Sequence, residues 1–252
     1  MKKSQFDNNG YTIIKTDLKD DQRFQILCEN LYRSLNVSLK NTNLSELKGY
    51  IMGNLNVFPG IYGDQLVNLL QEKKITNILE EILDIKLNDM EIRYGGNLSL
   101  SKKGEQHFHT DGSYSKKMFL VSIASENIDN DNGPTQVCVG SHKKNLPYWK
   151  FVFSKKIIEN IILEKGDIVI RKHNLWHKGT KNKSNNHRYL LSLFIFPKSS
   201  NYQINHKKTL EVSISSNFFK NNLRGYLQEI VYSRLRILHF LFRFMKSILK
   251  NK

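Results

Sequence analysis

The 252-residue sequence predicts an α+β, mainly β fold: an antiparallel sandwich or barrel backed by N-terminal helices and followed by a C-terminal amphipathic helix. Three observations carry that prediction. Leu18, Phe24, Leu27, Leu31 and Leu35 recur at helical spacing, and leucines and isoleucines at three- and four-residue steps mark further helices before residue 85. From about Lys86 to Pro197, short β-branched or aromatic runs alternate with Gly, Asn and Asp turns, at the roughly 8–12-residue spacing of an antiparallel β unit. Near the end, between Asn222 and Leu249, an apolar stripe returns at the helical period.

Taken in order, residues 11–15 read as a short strand and residues 18–35 as a helix with Asp20 and Asp21 near its amino end. Ser45 reads as the N-cap of another helix, residues 53–60 as a loop rich in Gly, Asn and Pro, and residues 64–72 and 76–83 as two helices. Strands are expected at 90–94, 118–124, 136–139, 150–153, 167–171 and 189–196, with Gly95-Gly96 and residues 130–134 as turns between them. This divides the chain into a domain over residues 1–197, with helical support over about 18–85 and a β core over about 86–197, and a basic extension over 198–252.

A formal net charge of +16 draws the chain toward anionic partners, whether membrane surfaces, nucleic acids or acidic substrates. The paired lysines are scattered through loops without stacking aromatics between them, so no nucleic-acid partner is expected. Cys28 and Cys138 stand far apart and offer neither zinc spacing nor a disulfide framework, which suits a reducing cytoplasm. The first ten residues lack the apolar core of a secretory signal, and no run reaches the ~18 apolar residues of a spanning helix. A cytoplasmic protein, with a possible peripheral place on the inner face of a membrane, is the expectation.

The stretch Gln106-His107-Phe108-His109-Thr110-Asp111-Gly112 concentrates two imidazoles and a carboxylate. On an extended chain the side chains of His109 and Asp111 share a side, because strand side chains alternate with period two. Two histidines and one carboxylate leave open positions on an Fe(II) ion. With eight histidines in the chain, one His-x-Asp arises readily by chance, so a second element is needed. His177 supplies it, following the apolar run 167–171 late enough to come from a different strand. Arg188 then opens the last strong strand, where a planar guanidinium wants a carboxylate partner and suits the distal end of a dicarboxylate such as 2-oxoglutarate.

In order and spacing, His109-Thr110-Asp111, the run 132–143, the segment from Gly166-Asp167 to His177-Lys178-Gly179, and Arg188 resemble the phytanoyl-CoA dioxygenase (PhyH-like) family of Fe(II)- and 2-oxoglutarate-dependent oxygenases. The resemblance covers about residues 11–197 and implies a double-stranded β-helix, the cupin-like jelly roll. It also implies that His109, Asp111 and His177 bind iron, that Arg188 anchors 2-oxoglutarate, and that O2 is consumed while an unactivated C–H bond is hydroxylated. The hydroxyl that helps the anchoring arginine in the family would fall to Thr180, since the position two after His177 is Gly179. Asn97 and Ser99, on the strand before the metal stretch, are further candidates for cosubstrate contact. The substrate implied is a small molecule or a lipid- or glycan-linked intermediate. An alternative reading of the same residues is a non-catalytic jelly-roll ligand-binding or membrane-associated protein that keeps the triad.

The remaining candidates have plainer readings. His107 is expected beside the metal ligands or on the surface, His142 shaping a turn near the pocket, and His173 and His187 exposed. Trp176 either lines the pocket or packs beneath it, and Cys138 is a small core residue. The terminal stripe of Leu223, Leu227, Ile230, Val231, Leu235, Leu238, Leu241, Phe242, Met245 and Leu249 suits packing on the domain, a dimer contact or a lipid surface.

Overall fold

Alternation of side chains along each strand sets the architecture of this chain, which a computed structural model describes over residues 1–112, 118–198, 211–220 and 222–249. The large sheet is built from β1 (Tyr11–Ile14), β2 (Asn54–Phe58), β3 (Met90–Ser99), β4 (Phe119–Ala124), β7 (Ile168–Lys172), β9 (Arg188–Pro197) and β10 (Ser213–Ser215). The small sheet holds β5 (Thr135–Cys138), β6 (Ile158–Ile161) and β8 (His177–Gly179). The strand orders are β1-β7-β4-β9-β3-β2-β10 and β6-β5-β8, and the pairings are antiparallel.

In β9, Tyr189, Leu191, Leu193 and Ile195 pack with Val121, Ile123, Ile168 and Ile170 against helices, while Leu190 joins Val137, Ile161 and Val169 on the opposite side. One face of the large sheet therefore lies under helices and the other meets the small sheet, which is the jelly roll. The helical layer is α1 (Lys2–Asn9), α2 (Gln22–Asn41), α3 (Ile61–Glu72) and α4 (Ile75–Leu83). Phe24, Leu27, Leu31 and Leu35 of α2 are buried there, each contributing about 1.5–3 kcal/mol as an upper bound. At the start of α2, the Asp21 carboxylate accepts from the amides of Arg23 and Phe24, so the helix begins at Gln22, and residues 18–20 form only a 3₁₀ turn that buries Leu18.

Several local expectations are overturned. Ser45 caps no helix: its hydroxyl donates to Asn43 Oδ1 at 2.7 Å, and only a single 3₁₀ turn, Leu44–Glu46, forms. Within the expected loop at 53–60, β2 pairs with β3, because Leu55 and Val57 alternate with Asn54 and Asn56 and present one apolar face to the core. Gly95 and Gly96 lie inside β3 rather than in a turn. Residues 150–153 are helical, in α5 (Tyr148–Phe153), which puts Tyr148 and Phe151 together on Trp176. The sequence reading misses α1, β6 and β8 and ends β3 too early. After residue 197, β10 adds to the edge of the large sheet, and the expected terminal helix is two, α6 (Leu223–Arg234) and α7 (Arg236–Leu249), separated at Leu235.

Candidate metal centre

The metal-bearing stretch runs along β8 as an added strand. Gln106 N–H donates to Gly179 O, His109 and His177 exchange both backbone hydrogen bonds at 2.9 Å, and Asp111 N–H donates to His173 O. This ladder sets His109 directly opposite His177, and one ligand atom from each of His109, Asp111 and His177 lies within 4.8 Å of the others. His109 Nε2 stands 3.6 Å from Asp111 Oδ1, and His177 Nε2 stands 3.6 Å from Asp111 Oδ2.

Each ring is held in the orientation that ligation requires. The Nδ1–H of His109 donates to His107 O, and that of His177 to Leu175 O, both at 2.9 Å, leaving the Nε2 lone pairs facing the carboxylate. Burial pushes both imidazoles down, His177 well below its ordinary value with Arg171 adding to the effect, so both are neutral at pH 7. Burial pushes the Asp111 carboxyl up, but the charge of the adjacent Arg171 guanidinium outweighs it and holds the group well below the usual carboxylate range. Arg171 Nη2 lies 2.7 Å from Asp111 Oδ2, yet at an angle that leaves this buried oxygen without a hydrogen bond. Two neutral nitrogens and an ionised oxygen with a free lone pair fit a divalent iron ion.

The triad opens on a cavity of about 310 Å³ lined also by Asn56, Asn97, Gln106, Arg171, Arg188 and Phe218. Arg188 is 2% exposed. It donates through Nε to Asn132 O and through Nη2 to Gly133 O, while Nη1 has no partner. Burial pushes the guanidinium down to about 10, so it stays charged at neutral pH with no carboxylate paired to it. A buried cation with an unused donor in the cavity that holds the triad fits a dicarboxylate whose other end reaches the metal, as 2-oxoglutarate does.

Of the other expected cosubstrate contacts, Asn97 lines the cavity, whereas Ser99 and Thr180 do not. Gly133 lies so close over Ser99 that a Cβ there would meet its Oγ at 2.9 Å, and the Thr180 hydroxyl donates to Pro134 O. The His107 side chain reaches Tyr232 O at 2.8 Å and packs on Tyr232 and His239, apart from the three donors. His173 is buried, not exposed, with Nδ1 2.7 Å from Met118 O, while His187 is exposed as expected. Trp176 stacks on Phe151 at 4.0 Å and packs with Cys138, so it lies beneath the site. Arg171, Gln106 and Phe218 are given no role at the site by the sequence reading. Alternation carries a signal for Arg171, which shares its strand face with the interior Val169, but the contacts of Gln106 and Phe218 are visible only in three dimensions.

A jelly roll with a His-x-Asp pair and a distal histidine in one cavity is the scaffold of a mononuclear non-haem iron site. Residues 66–189 match the model of the phytanoyl-CoA dioxygenase family (PhyH), and the chain is a PhyH-like protein. Its fold is similar to that of the epimerase SnoN in complex with Fe3+, alpha ketoglutarate and nogalamycin RO, at 11% identity and a TM-score of 0.61 over 86% of this chain and 95% of that one. AviO1 from Streptomyces viridochromogenes Tue57 aligns at 14% identity and a TM-score of 0.59, over 80% and 96% of the two chains. EctD from S. alaskensis with bound Fe aligns at 16% identity and 0.57, over 83% and 82%. No curated protein sequence matches.

Proposed function

We propose that this chain is an Fe(II)- and 2-oxoglutarate-dependent dioxygenase that hydroxylates an unactivated C–H bond of a small molecule or of a lipid- or glycan-linked intermediate. The observation that carries the reading is the meeting, in one cavity, of the His109, Asp111 and His177 donor set with the buried guanidinium of Arg188, whose Nη1 has no partner. Iron and 2-oxoglutarate, when bound, supply C–H oxidation coupled to decarboxylation of the cosubstrate.

The chain's own residues hold and orient. His109 and His177 offer nitrogens fixed by backbone carbonyls, Asp111 offers an ionised oxygen, and Arg188 takes the distal carboxylate. Met118, Leu120, Leu190 and Phe194 give the same cavity an apolar wall. Asp111 keeps a carboxylate that related halogenases lack, which supports hydroxylation as the outcome.

The expected result is succinate formation from 2-oxoglutarate that requires Fe(II) and falls roughly 100-fold or more in His109→Ala or Asp111→Ala. Wild-type turnover in either variant rejects the ligand assignment. Stoichiometric iron binding with no turnover of 2-oxoglutarate returns the chain to a ligand-binding role. Because SnoN is an epimerase, the mass of the product separates outcomes: gain of one oxygen supports hydroxylation, and an unchanged mass overturns it while leaving the cofactors in place.

A further inference from the structure

The apolar stripe of the last helix faces away from the domain. In α7, Leu238, Leu241, Phe242, Met245 and Leu249 are each about half exposed or more, from 49% at Leu241 to 66% at Leu249. The helix docks through a different set. The Phe240 ring lies 6.1 Å from Tyr148, Arg243 Nη1 donates to Phe108 O at 3.0 Å, and the Phe244 ring lies 5.8 Å from Phe153. Ser247 Oγ accepts from Trp149 N–H at 2.9 Å. Residues 240, 243, 244 and 247 follow 238, 241, 242 and 245 by two positions, about 200° around the helix, so α7 docks by a mixed aromatic and polar face and leaves its apolar stripe uncovered.

We propose that the outer face of α7 docks the domain on an anionic lipid surface. The charge pattern selects this occupant. No acidic residue occurs in α7, exposed Arg234 stands just before it, and exposed Lys246 borders the stripe, its Nζ reaching back over the Phe242 ring at 5.6 Å, as a lysine does when its stem covers apolar surface, whereas Arg236 turns to the domain and pairs with Glu105 at 2.8 Å. Exposed Lys150 and Lys155, on and beside α5, add to the same sign. A second copy would bring the same basic border and the same net charge of +16 against this one, whereas an anionic headgroup layer neutralises it and receives the apolar side chains. Among the described residues no helix is long and apolar enough to cross a membrane, so the contact is peripheral. Two ties fix the helix pair to the domain: Glu229 of α6, 1% exposed, accepts from the amides of Ile51 and Met52, and Tyr232 Oη accepts from His107 N–H. The domain therefore docks as one body, independently of whether it turns over 2-oxoglutarate.

The test is flotation of the full chain with vesicles of equal parts phosphatidylcholine and phosphatidylglycerol, beside vesicles of phosphatidylcholine alone. The expected result is binding to the anionic vesicles only, weakened roughly tenfold or more in Phe242→Glu/Met245→Glu and also in Arg234→Glu/Lys246→Glu. These side chains are exposed, and an unchanged circular dichroism spectrum verifies that the variants fold. Failure of the wild-type chain to float with anionic vesicles overturns the proposal. So does binding that either double variant leaves intact. A dimer in light scattering that Phe242→Glu/Met245→Glu dissociates, with no vesicle binding, reassigns the face to a second copy.

Discussion

On the proposed reading, function and stability oppose each other at Arg188. Removing a charge from water without a counter-ion costs several kcal/mol, and the two carbonyls it meets offset only part of that. Arg188→Met should therefore raise the stability of the protein in the absence of 2-oxoglutarate by about 1 kcal/mol or more, even though Gly133 O loses a donor. The same variant should raise the 2-oxoglutarate concentration for half-maximal succinate formation by roughly 30-fold or more. Paired thermal midpoints and saturation curves check both halves; an unchanged 2-oxoglutarate requirement rejects the clamp, and a lowered midpoint rejects the stored cost. Arg188 and the three donors are legible in the sequence because each stands in a motif whose chemistry is unusual. For Arg171 alternation signals only an inward face, and its partner, Asp111, is set by the register.

At the level of the element, the glycine pair in β3 is instructive. Neither Gly95 nor Gly96 has a positive φ, so neither is needed for a turn. Gly96 is required by close approach: a Cβ there would meet the Tyr189 ring at 2.1 Å, and Tyr189 is fully buried and unable to yield. At Gly95 the nearest atom is Phe194 Cε2 at 3.3 Å, the edge of a half-buried ring. Gly96→Ala should cost about 1–3 kcal/mol and Gly95→Ala distinctly less, as read from urea midpoints. Equal costs at the two sites would show that the strand, not the tyrosine, sets the requirement. Glycines read as turns from sequence alone because the aromatic that crosses them comes from a strand about ninety residues away.

For the whole molecule, charge and burial set the response to pH. His142, in the 3₁₀ turn Ser141–Lys143, is 5% exposed and reaches α1, with Nε2 3.1 Å from Asp7 O. Burial pushes it down from 6.5 to about 4, assisted by Lys172 and Lys143, against which Asp7 acts weakly. As the folded protein holds the lower pKa, the unfolded chain takes up the proton first. This contribution to stability is therefore complete above about pH 6.5 and is lost as the pH falls toward 4. The loss is on the order of 2 kcal/mol, or roughly 4–8 °C in thermal midpoint for a chain of this size. In His142→Gln, which can still donate to Asp7 O, the midpoint should fall less over that window; parallel curves for the two proteins would reject the assignment.

The sequence by itself determined the class of fold, the family, and which three donors and which arginine share a cavity, because hydrophobic period and motif order are local properties that survive without knowledge of contacts. Strand pairing decided the rest. Only the ladder between residues 106–111 and β8 sets His109 opposite His177, and only the approach of the Asn132-Gly133 loop covers Ser99 while leaving Asn97 open to the cavity. The choice of face on α7 is of the same kind. Periodicity identifies the apolar stripe, but which face docks depends on what packs against it, here Tyr148, Phe153 and Phe108 from distant parts of the chain.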